Sequence, residues 1–343
     1  MQILITGGGG FLGTFLIKEL LKRSDLLVSN FSRHHYFHLE DLGVPNIKGS
    51  VANFEDVERA LLKGQFEAVV HLAADTEEWG REKNHQEVNF LGTKNVLEVA
   101  LRMGVKKFIY VTPAHLFLEK EALFRVTEEI PYPKKYLNSY FETKAQAERF
   151  VLQNNQRGFA TCSLRFPPLW GKGDQKVIPP LIQKAKKGHL SIIGDGENLI
   201  DLLYVENAAV SIVSALNHLS DSSPLAGESY FITEESPLKC WDFVNRILHS
   251  YEIPPLRDYL PLRVAMKRAW MLESFFQLAG IKKPSPILTN SYVQMWGNTH
   301  FFSSEKALKH FQFKAPVSLE EGLKKTFSFR EKIRLHLDES GAK

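Results

Sequence analysis

The chain has 343 residues, with 43 Lys and Arg against 39 Asp and Glu, 44% hydrophobic residues and a formal net charge of +4. So small a charge over this length excludes a reading built on nucleic acid, and two cysteines, Cys162 and Cys240, with no His/Cys cluster beside them, exclude a disulfide framework and a metal site. No run of about 18 uncharged apolar residues is present, and a first strand that starts at the initial methionine is expected to leave no room for a signal peptide, so a reducing cytoplasm is the expected setting.

Residues 1–13 read M-Q-I-L-I-T-G-G-G-G-F-L-G. Ile3 to Ile5 predict a buried strand, and glycines at 7, 10 and 13 precede an apolar-periodic run of Phe11, Leu12, Phe15, Leu16, Leu20 and Leu21. In such a strand-turn-helix, Gly7 permits a tight exit, Gly10 lets backbone approach a pyrophosphate, and Gly13 lets helix and strand pack closely. Free N–H groups at the helix start favour phosphate, with Phe11 and Leu12 in the same cradle.

A second strand is predicted over Asp25–Phe31, and its end bears on the cofactor. A carboxylate there suits the ribose of NAD, whereas an Arg suits a 2′-phosphate. The stretch is Ser29-Asn30-Phe31-Ser32-Arg33-His34, with no carboxylate before Glu40. NADP(H) is therefore preferred over NAD(H), held by Ser32 and Arg33; the alternative is that Arg33 belongs to a solvated loop. A short third strand near Asn46–Lys48 and a fourth over Glu67–Ala73 follow, the latter ending in small residues, Ala73 and Ala74 after Leu72, where a cofactor lies close to backbone.

Residues 84–103 predict a helix with Val88, Leu91, Val96, Val99 and Ala100 inward and a polar Asn89 that needs partners. Lys106–Thr112 is a fifth strand. Alternation of this kind predicts a Rossmann-type, doubly wound parallel α/β sheet with ligand at the carboxyl ends of the strands. Residues 113–135, with Pro113, Pro131 and Pro133, predict a partly helical insertion over the site. The next helix, from 136 through Val151, carries Tyr140 and Lys144 one turn apart on one face. A tyrosine is a poor acid-base group at neutral pH until a neighbouring cation lowers its pKa, and of ten tyrosines only Tyr140 has a lysine four residues later.

The cofactor domain is expected to span 1–165, with 198–218 returning to it, and a smaller mixed lobe for substrate 166–335, leaving 336–343 as a tail frayed from about Leu335. A basic-ended helix at Val177–Gly188, a strand at 228–233 and a helix at 239–250 would build that lobe. Leu262–Ile281 is rich in Met, Trp and Phe, with Arg263, Lys267 and Arg268 near its start. Two readings stay open for it: a lid over the substrate cleft, or a helix lying in a membrane interface. Trp79 and Trp170 suggest an apolar substrate pocket.

Several stretches carry a family resemblance: T-G-G-G-G-F-L-G (6–13), H-L-A-A (71–74), N-F-L-G-T-K-N-V (89–96), Y-F-E-T-K (140–144), L-R-F-P-P-L-W-G-K-G-D (164–174), G-D-G-E-N-L-I-D-L-L-Y-V-E-N-A-A (194–209), F-F-S-S-E-K-A (301–307) and V-S-L-E-E-G-L (317–323). The chain resembles an extended short-chain dehydrogenase/reductase of the 3β-hydroxysteroid dehydrogenase branch, closest in pattern to 2-alkyl-3-oxoalkanoate reductases and sterol dehydrogenases. The resemblance implies hydride transfer between a nicotinamide and a secondary alcohol or ketone of a hydrophobic substrate, a 3-oxo acid or a 3β-hydroxysteroid-like ring. It implies that Tyr140 handles the proton and that Lys144 holds the nicotinamide ribose while depressing the tyrosine pKa. Asn89 would brace its helix and form a relay with water, and Phe166 to Leu169 would lie along the nicotinamide. Ser50 and Val51 would lie near the adenine, where many relatives have an aspartate.

One departure stands out. The usual serine at the end of the fifth strand falls on Pro113, with Thr112 one residue earlier and His115 two later. Because a one-residue shift turns a side chain to the opposite face, Thr112 replaces the serine only if the proline bends the strand. Two rival readings follow: a nucleotide-sugar epimerase or dehydratase, which predicts basic residues clamping a diphosphate within 166–300, and an NADP-binding regulator without turnover. The resemblance also implies a homodimer through the helices at 84–103 and 136–155.

Overall fold

Near-continuous apolar runs in the first half of the chain become strands covered by helices on both faces. The computed structural model describes residues 1–328 apart from 80, 120, 235, 284 and 285; the expected tail lies outside the described residues. β1 (Gln2–Thr6), β2 (Leu27–Ser32), β3 (Asn46–Lys48), β4 (Ala68–His71), β5 (Lys107–Pro113), β6 (Ala160–Phe166) and β7 (Glu228–Phe231) lie in the order β7-β6-β5-β4-β1-β2-β3. All are parallel. Chain order reverses between β1 and β4, which opens a crevice at the carboxyl ends of those two strands.

The flanking helices are α1 (Phe11–Leu20), α2 (Gly92–Arg102), α3 (Ser139–Gln153) and, after α4 (Ile178–Lys186) in the smaller lobe, α5 (Val205–His218). On one face Leu16, Ile17 and Leu20 of α1 pack with Ala208, Ile212 and Ala215 of α5. On the other, Val96, Val99 and Ala100 of α2 pack with Ala147 and Val151 of α3 and with Phe108 of β5. Helix α5 thus covers the same face of the large sheet as α1.

Two expectations are corrected. The strand at 228–233 does not build the smaller lobe: β7 pairs with β6, Phe231 opposite Arg165. Ser229, Tyr230 and Phe231 are all buried, the pattern of a strand covered on both faces. Leu91 does not face inward but is 41% exposed. Residues His85–Leu91 form a π-helical stretch between Asn84 and α2, and its wider turn takes Leu91 off the phase that a 3.6-residue period assigns, while Val96, Val99 and Ala100 in α2 are buried as expected. The 113–135 insertion is partly helical, through the 3₁₀ turn Ala114–Phe117, and also contributes a strand, Leu123–Val126.

That strand joins a four-stranded sheet with His300–Phe302, Leu199–Ile200 and Leu238–Lys239. The smaller lobe is completed by α6 (Leu262–Leu278) and α7 (Asn290–Gly297) around a second core that includes Trp170, Tyr204, Phe243, Val244, Ile247 and Trp296.

One buried ion pair ties α3 to the sheet. Arg165 Nε donates to Glu148 Oε1 at 3.0 Å and its Nη2 to Oε2 at 3.1 Å, while Ser163 and Tyr132 hydroxyls donate to the same carboxylate at 2.7 and 2.6 Å. Both partners are almost fully buried. Glu148→Ala strands the guanidinium and is expected to cost about 3–5 kcal/mol in urea unfolding, whereas replacing both partners, Glu148→Leu with Arg165→Met, restores part of that loss.

Candidate active site

The glycine turn is built by close backbone approach. Gly7 has φ +73°, and a Cβ on it would lie 3.0 Å from the Ala73 Cα and backbone N; a Cβ on Gly13 would lie 2.5 Å from Gly8 Cα. At Gly10 the nearest atom to a Cβ is Gly7 O at 3.2 Å, with nothing else within 4 Å. Gly7 and Gly13 are therefore needed by the fold, while at Gly10 a Cβ would press on a single backbone oxygen and the α1 N-terminus stays open to the cleft, as a phosphate cradle requires.

The crevice wall opposite is set by a buried polar chain. Thr93 donates to Asn89 O at 2.6 Å, so it accepts from His71 Nε2 at 3.0 Å; His71 Nδ1 then accepts from the Thr6 hydroxyl at 2.7 Å, and Thr6 Oγ1 accepts the Ala73 N–H at 3.1 Å. This arrangement needs a neutral histidine, and burial first, with the nearby Lys144 second, pushes His71 down to about 3. Its consequence is a fixed Leu72–Ala74 backbone along the cleft. Asn89 clamps the next residue: its Oδ1 accepts the Asp75 N–H at 2.7 Å and its Nδ2 donates to Asp75 O at 3.0 Å. Asn89 thus braces the loop after β4.

At the end of the cleft beside β2 and β3, Asn30 accepts the Gly8 N–H and donates to Ser32 Oγ and Asn46 Oδ1. Arg33 is exposed on the cleft wall next to His34 and Tyr36 and bonds no described side chain. The Tyr36 ring lies against Gly9, where a Cβ would meet it at 2.1 Å. Ser50 and Val51 also line this end, the Ser50 N–H held by Asp56 at 2.9 Å.

At the other end, Asn138 caps α3 through the Phe141 N–H, placing Tyr140 in its first turn. Tyr140, Lys144, Thr112, Pro113, Phe166, Leu169 and Trp79 line the same cleft of about 1780 Å³ as the glycines. Lys144 Nζ donates to Val111 O at 2.8 Å and sits 4.1 Å from the Tyr110 ring centroid. The strand does not bend at the proline: Thr112 pairs with Arg165 and Pro113 with Phe166. Thr112 nevertheless lies on the Tyr110 face of β5, which α3 covers through Lys144. Its Oγ1 is buried and has no hydrogen-bond partner.

The electrostatics run opposite to the expected direction. Burial first, then the carboxylates of Glu78 and Asp75, push Tyr140 above the ordinary phenol range. Lys144 cannot offset this, because burial pushes its own pKa down to about 7 against a smaller upward pull from Glu148. Trp170 is a further correction: fully buried, it packs on Tyr204 and Phe243 in the second core and does not reach the cleft. Its large ring is used in the core, the commoner fate of an aromatic residue.

Residues 4–262 match the model of the 3-beta hydroxysteroid dehydrogenase/isomerase family. The chain belongs to this family. It is 32% identical over 327 residues to a 2-alkyl-3-oxoalkanoate reductase of Stenotrophomonas maltophilia, covering 95% of this chain and 98% of that one. It is 33% identical over 328 residues to the decarboxylating sterol-4-alpha-carboxylate 3-dehydrogenase of Mus musculus, covering 94% and 89%. In fold it is similar to the UDP-glucose 4-epimerase of Thermus thermophilus, solved with NAD, at a TM-score of 0.72 and 21% identity over 96% of this chain and 99% of that one. As a member of this dehydrogenase family the chain is an oxidoreductase that uses a nicotinamide cofactor, and the cleft lined by Gly7, Gly10 and Gly13 has room for one.

Other cleft residues escaped sequence reasoning. Asn138 Nδ2 donates to Glu78 Oε2 at 3.1 Å and to Ser291 Oγ at 2.9 Å, joining the β4 loop, α3 and α7. The helix-cap signal at Asn138 was readable; its partner 153 residues away was not. Nor was the basic wall of Lys172, Lys176, Lys184, Lys187 and His189, since a basic helix end reads as a solvated face. Gly10→Ala is expected to leave urea stability within about 1 kcal/mol yet weaken dinucleotide binding at least about ten-fold by intrinsic fluorescence, whereas Gly13→Ala lowers stability itself. Lys144 gives a pH signature. Its pKa is about 7 folded against 10.5 ordinarily, so between those values the unfolded chain binds more protons and stability rises with pH. That slope should be shallower in Lys144→Met.

Proposed function

We propose that the chain is an NADP(H)-dependent enzyme that moves a hydride between the nicotinamide and a secondary alcohol or ketone carbon of a hydrophobic substrate of the 3-oxo acid or 3β-hydroxysteroid kind. The observation that carries this is that Tyr140 lines the same cleft as the Gly7–Gly13 cradle and as Thr112, whose buried hydroxyl lacks a partner. When bound, the nicotinamide supplies or accepts the hydride. Tyr140, held protonated, donates its proton to the substrate oxygen in the reducing direction, and Thr112 donates a hydrogen bond to the same oxygen in the role that Pro113 cannot fill. Lys144 keeps Nζ donors beyond its bond to Val111 for the ribose hydroxyls, Phe166 and Leu169 wall the nicotinamide, and Trp79 with Thr112 contacts substrate. Arg33 and Ser32 would hold the 2′-phosphate.

The enzyme would work in the cytoplasm at a lipid surface. Val264, Trp270, Met271, Phe275 and Leu278 of α6 are exposed beside Arg263, Lys267 and Arg268, which supports interfacial contact; among the described residues no helix is long and apolar enough to cross a membrane. A homodimer is supported by exposed Leu91 beside half-buried Phe90 and Phe150, whose rings meet edge to face at 6.3 Å. A nucleotide-sugar epimerase or dehydratase is the second reading, favoured by the basic wall of the cleft.

Tyr140→Phe should abolish NADPH oxidation with a panel of long-chain 3-oxo acids and 3-ketosteroids while leaving NADPH affinity within about two-fold. Unchanged turnover would sink the assignment, and turnover only with a UDP-sugar would favour the second reading. Arg33→Ala should weaken NADPH by about ten-fold or more and NADH little.

A further inference from the structure

A groove of about 710 Å³ adjoins the cleft beneath α6, between that helix and the turn after α4. Its walls are mainly hydrocarbon, with Leu190, Ile193, Leu260, Leu272, Phe275 and Leu288 among them. Lys184, His189, Ile287 and Tyr292 line both the groove and the cleft, so the two share one wall and a branched ligand can occupy both.

The charge at that junction is unbalanced. Lys184 Nζ stands 3.2 Å from the centroid of the Tyr292 ring, and no carboxylate among the described residues pairs with it. Burial alone pushes the lysine down to about 8, which still leaves it mostly protonated at neutral pH. The nearby acid on the cleft wall, Glu273, is engaged by the Asn290 backbone N–H and side-chain amide. Arg268 adds a second cation to the groove wall. A half-buried ammonium that rests on an aromatic face and lacks a counter-ion is stabilised by an incoming anion, and the surrounding hydrocarbon calls for an apolar chain attached to it.

We infer that the groove is a subsite for a hydrocarbon branch of the cleft's own substrate, a long-chain acid whose carboxylate is held by Lys184 where groove and cleft meet. This rests on the reading of the substrate as hydrophobic given above, but not on which carbon is oxidised. It gives the basic wall a role that an epimerase's diphosphate would otherwise claim.

Isothermal titration of the full chain with decanoate and decanol at pH 7 tests it. Wild type should bind decanoate about ten-fold more tightly than decanol. Lys184→Met, which keeps an apolar stem on Tyr292, should erase that preference and leave decanol unchanged. Phe275→Ala, at an exposed position, should weaken both ligands. Equal binding of the two by wild type, an unaltered preference in Lys184→Met, or no response of either ligand to Phe275→Ala overturns the inference. Loss of UDP binding instead of decanoate binding in Lys184→Met overturns it in favour of a diphosphate. The same titration on Tyr140→Phe should match wild type, so a failure of the hydride-transfer assignment and a failure of this subsite are read separately.

Discussion

Everything in this site depends on how closely the first turn of the chain approaches the end of β4. Gly7 lies where a single added carbon would touch the backbone of Ala73, and Gly13 lies where it would touch Gly8. That approach brings Thr6 within reach of His71 and lets one neutral histidine, bonded on both ring nitrogens, lock β1 to β4 and β4 to Thr93 on the neighbouring helix. The crevice of a doubly wound sheet is a topological consequence. Its width and the course of the Leu72–Ala74 wall come from these contacts.

Burial then decides the acid-base character of the other end. Tyr140 and Lys144 share one face of α3, and a charged lysine there would pull the phenol down. The same burial that shelters the pair raises the tyrosine and lowers the lysine, because each charged form loses its water. The tyrosine is therefore held as an acid, in keeping with donation to a ketone oxygen. Thr112 lines the same cleft without any bend in β5, since the alternation of the strand already turns it to the face that α3 covers.

The substrate half of the cleft combines hydrocarbon with cationic side chains. The aromatic and aliphatic residues that suggested a purely apolar pocket are partly spent on the second core, Trp170 above all. What reaches the cleft from the same region is a basic wall, with Lys184 pressed on Tyr292.

The sequence by itself determined the parallel sheet, the glycine-rich turn after β1, and the Tyr140/Lys144 pair. Each is encoded by spacing within a few residues, where backbone geometry leaves few choices. The order of glycines, the strand runs and the i, i+4 pair needed no distant partner to be recognised. Tertiary structure alone decided the rest. The π-helical stretch put Leu91 outside, and pairing with β6 drew Glu228–Phe231 into the large sheet. Asn138 met Ser291, and burial reversed the pKa shift expected at Tyr140. These outcomes depend on which segments, often far apart in the chain, exclude water from one another, and local periodicity carries no record of that.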